Sequence, residues 1–372
     1  MLPERVALVH DRLDQNGGAE RMLWTLHGMF PTAPIYTAMW NRRRVSQFKG
    51  CDVRTSWMQR LPGIGRMPRA YAPLYPLAFR SMRLRGFDLV ISLTTSFAKG
   101  VRTDGALHVC YCNSPSNFVW RPASYFGRSW KNLFSAPVRG CLMAFDREAA
   151  RHPDIWVTNG PTVADRIRRA YGAAATIVPP GIDQHWFTEH RSDEFYLVVS
   201  RLVPHKRIEL AIEACRRLGV PLWVVGDGRA EADLRRLAGP DVHFTGRVSD
   251  DELRNLYARA RAVLMTAEED FGLVPLEAQA AGSPVIAFDA GGVRETVIQG
   301  TTGLRFAPQS AEALATAIRA SQAMTWDRDR IRANAAEFTE SRFRRELTSL
   351  IERHTRPAAE PVLAMATGDH AH

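Results

Sequence analysis

The chain is poor in cysteine, poorer in lysine, and has no long apolar run. Five cysteines among 372 residues are sparse and odd in number, so no disulfide framework is expected. Cys110 and Cys112 alternate within a strand-like segment, and no second pair completes a metal site. No stretch approaches the about 18 consecutive apolar residues that span a bilayer. Met1-Leu2-Pro3-Glu4 leads straight into a strand-like segment without a signal-peptide pattern. The expectation is a cytoplasmic, soluble protein, at most attached to a membrane surface. Only four of the 49 basic side chains are lysines: Lys49, Lys99, Lys131 and Lys206.

With 45% apolar and 24% charged positions, 372 residues exceed one compact core, and two domains are expected. The net charge of +10 is uneven. Residues 1–180 hold 25 basic against 11 acidic side chains and the remainder 24 against 28, so the halves carry +14 and −4. A basic half suits nucleic acid, anionic lipid or an anionic small molecule, and composition does not choose among them.

Short apolar runs bounded by turn signals alternate with helical patterns, the signature of α/β domains with parallel sheets. Strands are expected at Arg5–Val9, Pro34–Tyr36, Asp88–Ser92, His108–Cys112, Ile155–Thr158 and Thr176–Val178, with helices at Ala19–Phe30 and Thr162–Tyr171. Pro179-Pro180-Gly181-Ile182-Asp183 is the clearest break. Beyond it, strands are expected at Phe195–Ser200, Pro221–Val225, Val242–Thr245, Ala262–Met265, Pro284–Phe288 and Gly303–Phe306. The pattern predicts two Rossmann-like domains, 1–180 and 181–325, facing each other across a cleft where ligands bind at strand carboxyl ends. Helices at 326–355 follow, and an Ala/Pro/His-rich tail at 356–372 without periodicity is expected to be disordered.

Three constellations carry chemistry. Glu268-Glu269-Asp270-Phe271-Gly272-Leu273-Val274-Pro275-Leu276-Glu277 runs from a strand into a helix. Gly272 permits close backbone approach, and carboxylates at positions 269 and 277 suit two vicinal diols, one at each end of a ligand. The plainer alternative is acidic residues favouring a helix N-terminus, which fits Glu269 and Asp270 better than Glu277. Arg201 and Lys206 follow a buried strand and suit a leaving diphosphate, or else a solvated basic loop. Gly17-Gly18 at a helix start forms a phosphate cradle or merely a turn; without a third glycine it is not the dinucleotide fingerprint.

Gly17-Gly18-Ala19-Glu20-Arg21, Ser200-Arg201-Leu202-Val203-Pro204-His205-Lys206 and the E-x7-E pattern of Glu269–Glu277 together resemble glycosyltransferase family 4, retaining nucleotide-sugar enzymes of the GT-B fold. The resemblance runs from about Val6 to Arg353. Val9-His10-Asp11, Pro73-Leu74-Tyr75-Pro76-Leu77-Ala78 and Tyr111-Cys112-Asn113-Ser114-Pro115 make it most similar to the bacterial branch, often mannosyltransferases, that builds surface polysaccharides. The resemblance implies a metal-independent hexosyltransferase with no cofactor beyond its nucleotide-sugar substrate, GDP-mannose first among candidates. Arg201 and Lys206 would contact the donor diphosphate, Glu277 the ribose, and Glu269 with the backbone of Asp270, Phe271, Gly272 and Leu273 the transferred sugar. Gly17 and Gly18 would approach the diphosphate from the other domain, and helices around Phe338–Arg353 would cross back onto the first domain. The acceptor would be a polyprenyl-diphosphate-linked saccharide at the inner face of the cytoplasmic membrane, met by His10, Asp11 and Asn113.

Two departures stand out. Where the branch usually has His after Tyr-Cys, this chain has Asn113, which does not titrate. Either the diphosphate oxygen takes the acceptor proton, the favoured reading, or His10 substitutes, or activity is reduced; His10 is equally readable as a structural histidine. Where the branch often has Pro-x-Arg, this chain has Pro115-Ser116-Asn117. A UDP-sugar donor is the alternative within the class, and a non-catalytic nucleotide-sugar-binding subunit of an assembly complex is the alternative outside it. Finally, Arg54–Arg85 holds seven arginines and no acidic residue, interleaved with aromatic and apolar positions. An anionic membrane surface is the expected partner, ahead of single-stranded nucleic acid or a helix pair with a solvated basic face.

Overall fold

A computed structural model of the chain describes residues 2–122, 136–192 and 194–355; the tail expected at 356–372 lies outside the described residues. Two parallel sheets organise it. The first contains β1 (Val6–His10), β2 (Ile35–Thr37), β3 (Val53–Thr55), β4 (Leu89–Thr94), β5 (Leu107–Cys112), β6 (Ile155–Thr158) and β7 (Thr176–Ile177), in the order β3-β2-β1-β4-β5-β6-β7. The second contains β8 (Phe195–Val199), β9 (Leu222–Val225), β10 (Val242–Gly246), β11 (Ala260–Met265), β12 (Val285–Phe288) and β13 (Gly303–Phe306), in the order β10-β9-β8-β11-β12-β13. Residues of β1 and β4 are buried throughout, because helices cover both faces of a parallel sheet and leave no solvent side to mark with polar residues.

Each sheet reverses its building direction beside its first strand, between β1 and β4 and between β8 and β11. That topology opens a crevice at the strand carboxyl ends, the place where α/β sheets bind ligands. The expected strands are present, and β3 is an addition. It is a three-residue edge strand, half-exposed and centred on Arg54, so it carries no apolar run to announce it.

The segment 54–85 is not a helix pair. Trp57–Arg60 and Pro68–Leu74 are 3-10 turns, and only Tyr75–Ser81 is α-helical. Prolines 68, 73 and 76 lack the N–H groups that a continuous helix would use. Met58, Ile64, Tyr75 and Phe79 anchor the segment in the core on one face of the first sheet. Among the described residues, no helix is long and apolar enough to cross a membrane.

The chain crosses between the domains twice, side by side. Ile182 N–H donates to Phe338 C=O at 2.8 Å and Glu340 N–H to Ile182 C=O at 3.1 Å. Of the helices expected to return, Arg328–Ala336 packs on the second domain, with Ala335 in its core and Asn334 Nδ2 donating to Gln279 Oε1 at 2.6 Å. Glu340–Thr355 alone packs on the first domain, burying Phe343, Leu347, Leu350 and Ile351 against β1 and β4 side chains. Their i, i+4, i+7, i+8 spacing makes one apolar stripe, and each buried side chain is worth about 1.5–3 kcal/mol.

Candidate active site

The two crevices face each other and several side chains span them. After β1 the chain turns through Gly17 into the helix Gly18–Met29. Gly17 N–H donates to Glu20 Oε2 at 3.0 Å, so this backbone donor is satisfied within its own turn. A Cβ on Gly18 would lie 3.4 Å from Leu273 Cδ1, which places the glycine turn against the second domain's site loop.

On the second domain, β8 leads through Arg201 to a 3-10 turn, Pro204–Lys206. Arg207 follows at φ +54°, in the left-handed region, a conformation that costs an L-residue about 1–2 kcal/mol. Lys206 pairs with Glu269 Oε1, while its carbonyl accepts from Thr266 Oγ1 at 2.8 Å. Arg201 is exposed and reaches back across the cleft, Nη1 donating to Gln15 Oε1 at 2.7 Å. Phe271 is buried and packs edge-on against Phe338. Gly272 sits at φ +87°, where a side chain would be strained.

Glu277 lies in the first turns of the helix Val274–Ala280 and is only 3% exposed. Its Oε1 accepts from Arg21 Nη1 at 2.5 Å and its Oε2 from Tyr257 OH at 2.9 Å. Arg21 Nη2 also meets Asp250 Oδ1 at 3.2 Å, and its guanidinium lies over the Trp186 ring. Burial pushes the Glu277 carboxyl up; Arg21 and Tyr257 oppose this, Asp250 adds to it, and the net value lies above the ordinary glutamate range. A cavity of about 580 Å³ adjoins this cluster, lined among others by Arg21, Trp24, Asp183, Trp186, Asp250 and Glu277. It reaches Glu277 but not Lys206 or Glu269.

The acceptor-side candidates sit differently. Asp11 is buried, and its carboxylate accepts from the backbone N–H groups of Thr95, Phe97 and Ala98 at 2.6–2.9 Å and from the hydroxyls of Thr94 and Thr95. It organises the turn after β4. His10 is buried 3.6 Å from Glu20. Burial disfavours the imidazolium, but Glu20 and Asp11 outweigh it, and His10 lies above its ordinary range. Asn113 follows β5; its backbone carbonyl accepts from Asn159 Nδ2 at 3.1 Å, while its own buried Nδ2 has no hydrogen-bond partner among the described residues.

Four first-domain groups went unassigned at the level of sequence. Arg21 was visible within the glycine turn without a role. Asn117, Arg121 and Arg166 bind Glu268 and Asp270 on either side of Glu269, contacts spanning more than a hundred positions that no local pattern reports.

Residues 183–338 match the family described as Glycosyl transferases group 1. Glycogen synthase of Mycobacterium tuberculosis is 35% identical over 188 residues, 45% of either chain. The GDP-mannose-dependent alpha-(1-6)-phosphatidylinositol monomannoside mannosyltransferase of the same species is 36% identical over 204 residues, 46% of this chain and 52% of the relative. The alignments thus span about half the length of these curated relatives. Among solved structures, Anabaena HepE in complex with UDP and glucose superposes with a TM-score of 0.69 at 19% identity, over 94% of this chain and 99% of that one. Sucrose-phosphate synthase from Thermosynechococcus elongatus gives 0.70 at 19% identity, over 94% and 98%. The architecture is GT-B, and the match to the group 1 family lies within its second domain and the helix that follows it.

Proposed function

We propose that this chain, a GT-B protein with a group 1 glycosyl transferase domain, is a retaining, metal-independent hexosyltransferase. Its donor is a nucleotide sugar, GDP-mannose first among candidates, and its acceptor a polyprenyl-diphosphate-linked saccharide of surface-polysaccharide synthesis. One observation carries the reading: Arg201 and Lys206 follow β8, and Glu269 and Glu277 follow β11, the two strands that flank the second domain's switch point, opposite the Gly17-Gly18 turn of the first domain.

In this reading the diphosphate lies along Arg201 and Lys206, Glu277 takes the ribose diol, and Glu269 with the backbone of Asp270–Leu273 holds the hexose. The bond from the anomeric carbon to the phosphate oxygen breaks as Lys206 stabilises the growing charge. The acceptor oxygen bonds the same face of that carbon, and its proton passes to the departing diphosphate oxygen, because Asn113 does not titrate. Turnover of GDP-mannose or of a UDP-hexose by the purified full chain tests this. Nucleotide binding without turnover would favour a non-catalytic subunit instead, the reading that a non-titrating Asn113 prompts.

The same proposal places the protein at the inner face of the cytoplasmic membrane. Arg54, Arg80 and Arg85 pair with Asp52, Glu148 and Asp104, acids from outside the arginine-rich stretch. Arg60, Arg66 and Arg83 are exposed, together with Trp57, Met67 and Leu77, a mixture that suits anionic lipid headgroups and their acyl boundary. Flotation with liposomes containing anionic lipid is expected, and its loss when Arg60, Arg66 and Arg83 are replaced; failure of the native chain to float would remove the membrane claim.

A further inference from the structure

The helix Pro161–Tyr171 of the first domain is capped by the second. Gly160, at its N-cap, has no side chain to offer, and Pro161 has no N–H. The next donor, Thr162 N–H, meets Glu295 Oε1 at 2.9 Å, from the short helix Val293–Thr296. A carboxylate at that position satisfies an orphan donor and favours the positive end of the helix. The fit is close: a Cβ at Gly160 would stand 1.7 Å from Glu295 Oε2.

The same helix grips the site loop. Arg166 donates through Nη2 to Glu268 Oε1 at 2.7 Å and through Nη1 to Asp270 Oδ1. Arg121 Nη2 reaches Glu268 Oε2 at 2.6 Å, and Asn117 Nδ2 reaches Asp270 Oδ2 at 3.2 Å. All four carboxylate oxygens of Glu268 and Asp270 are therefore held by first-domain donors, while Glu269 between them turns to Lys206. Gly292 N–H donates to Glu269 C=O at 2.9 Å, which ties the loop to the start of the Glu295 helix. At the base of the gripping helix, Asn159 holds the carbonyl of Asn113.

We propose that Arg166 and Glu295 are positioning residues: they dock the helix Pro161–Tyr171 onto the loop 268–272 and so fix Glu269 and the Phe271–Leu273 backbone relative to the acceptor half. The proposal rests on the transferase reading above. Nucleotide is held by Arg201, Lys206 and Glu277, outside this clamp, whereas transfer needs both halves in register, and misplacing reacting groups by 1 Å costs about 10²-fold. Arg166→Lys keeps the charge but cannot fork between two carboxylates, so it recovers only part of the rate. Gly160→Ala pushes the Glu295 carboxylate aside without altering any charge.

The test uses the full chain and four variants, Arg166→Met, Arg166→Lys, Glu295→Ala and Gly160→Ala. GDP and UDP affinities are measured by calorimetry, turnover with GDP-mannose and UDP-glucose, and amide exchange at Phe271–Leu273 by mass spectrometry. Expected are a fall in kcat of about 10²-fold in Arg166→Met, nucleotide Kd unchanged within about two-fold, faster exchange at Phe271–Leu273, and an intermediate kcat for Arg166→Lys. Native kcat in Arg166→Met and Gly160→Ala, or a loss expressed wholly in nucleotide Kd, overturns the proposal. If the native chain turns over neither sugar, the transferase reading fails separately. Exchange then decides the clamp: unchanged exchange in all four variants overturns it, and accelerated exchange with unaltered melting upholds it.

Discussion

Arg21 donates to Glu277 at 2.5 Å across the interdomain cleft, from a position 256 residues earlier in the chain. The pair opposes the effect of burial, which with Asp250 lifts the Glu277 carboxyl above its ordinary range; Tyr257 assists Arg21. A diol is accepted by the ionised form, so nucleotide affinity should begin to fall on the acid side at a higher pH than an ordinary glutamate would give. Arg21→Met removes an opposing charge and should move that limb to still higher pH, while Glu277→Gln should abolish it. GDP and UDP titrations across about pH 4 to 8 measure this; a limb unmoved in Arg21→Met would contradict it. For folding the sign is opposite to that of a salt-bridged carboxylate with a lowered pKa. Between the unfolded and folded values the folded chain binds more protons, so stability declines as pH rises through that window.

Lys206→Ala and Glu277→Ala should each reduce transfer by about 10²–10³-fold, the cost of removing one group that stabilises developing charge or orients the donor. Both variants should stay folded by circular dichroism. Full activity in either would remove the site assignment.

Asn113→His should give no gain in rate. The Asn113 carbonyl is tied to Asn159, and in the proposed mechanism the leaving diphosphate receives the proton. Steady-state kinetics decide; a gain of about 10²-fold, the ordinary yield of a general base, would show that the proton route lacks a group the site can use.

Lys99→Met should cost about 3–5 kcal/mol of stability, because it strands a buried carboxylate. Lys99 and Asp146 are 1% and 0% exposed and 2.5 Å apart. Asp146 also accepts from Trp120 Nε1 at 2.6 Å and Tyr171 OH at 2.7 Å, so it ties together the segments that carry Asn117 and Arg166. Urea unfolding monitors the loss, and a change below about 1 kcal/mol, the worth of a surface pair, would contradict it.

The strands were legible because parallel sheets bury whole apolar runs, as in Leu89–Thr94 or Val285–Phe288. Val53–Thr55 was not, since an edge strand of three residues needs no apolar pattern. The alternative of a helix pair at 54–85 fails at prolines 68, 73 and 76, which leave only Tyr75–Ser81 α-helical. In the site, Lys206 and Glu269 were singled out separately, and the structure joins them. Glu277 was recognisable as a carboxylate out of place on a helix, but its partner Arg21 was not, because only the tertiary fold brings them together. Arg166 and Glu295 give no signal in the sequence, because their partners lie more than a hundred positions away.

The most direct test of the account is release of nucleoside diphosphate from GDP-mannose and UDP-glucose by the purified full chain, with Lys206→Ala alongside. The account predicts release from one of these sugars by the native chain and its loss in Lys206→Ala. Binding of either sugar with no release, or equal release by the variant, would contradict it.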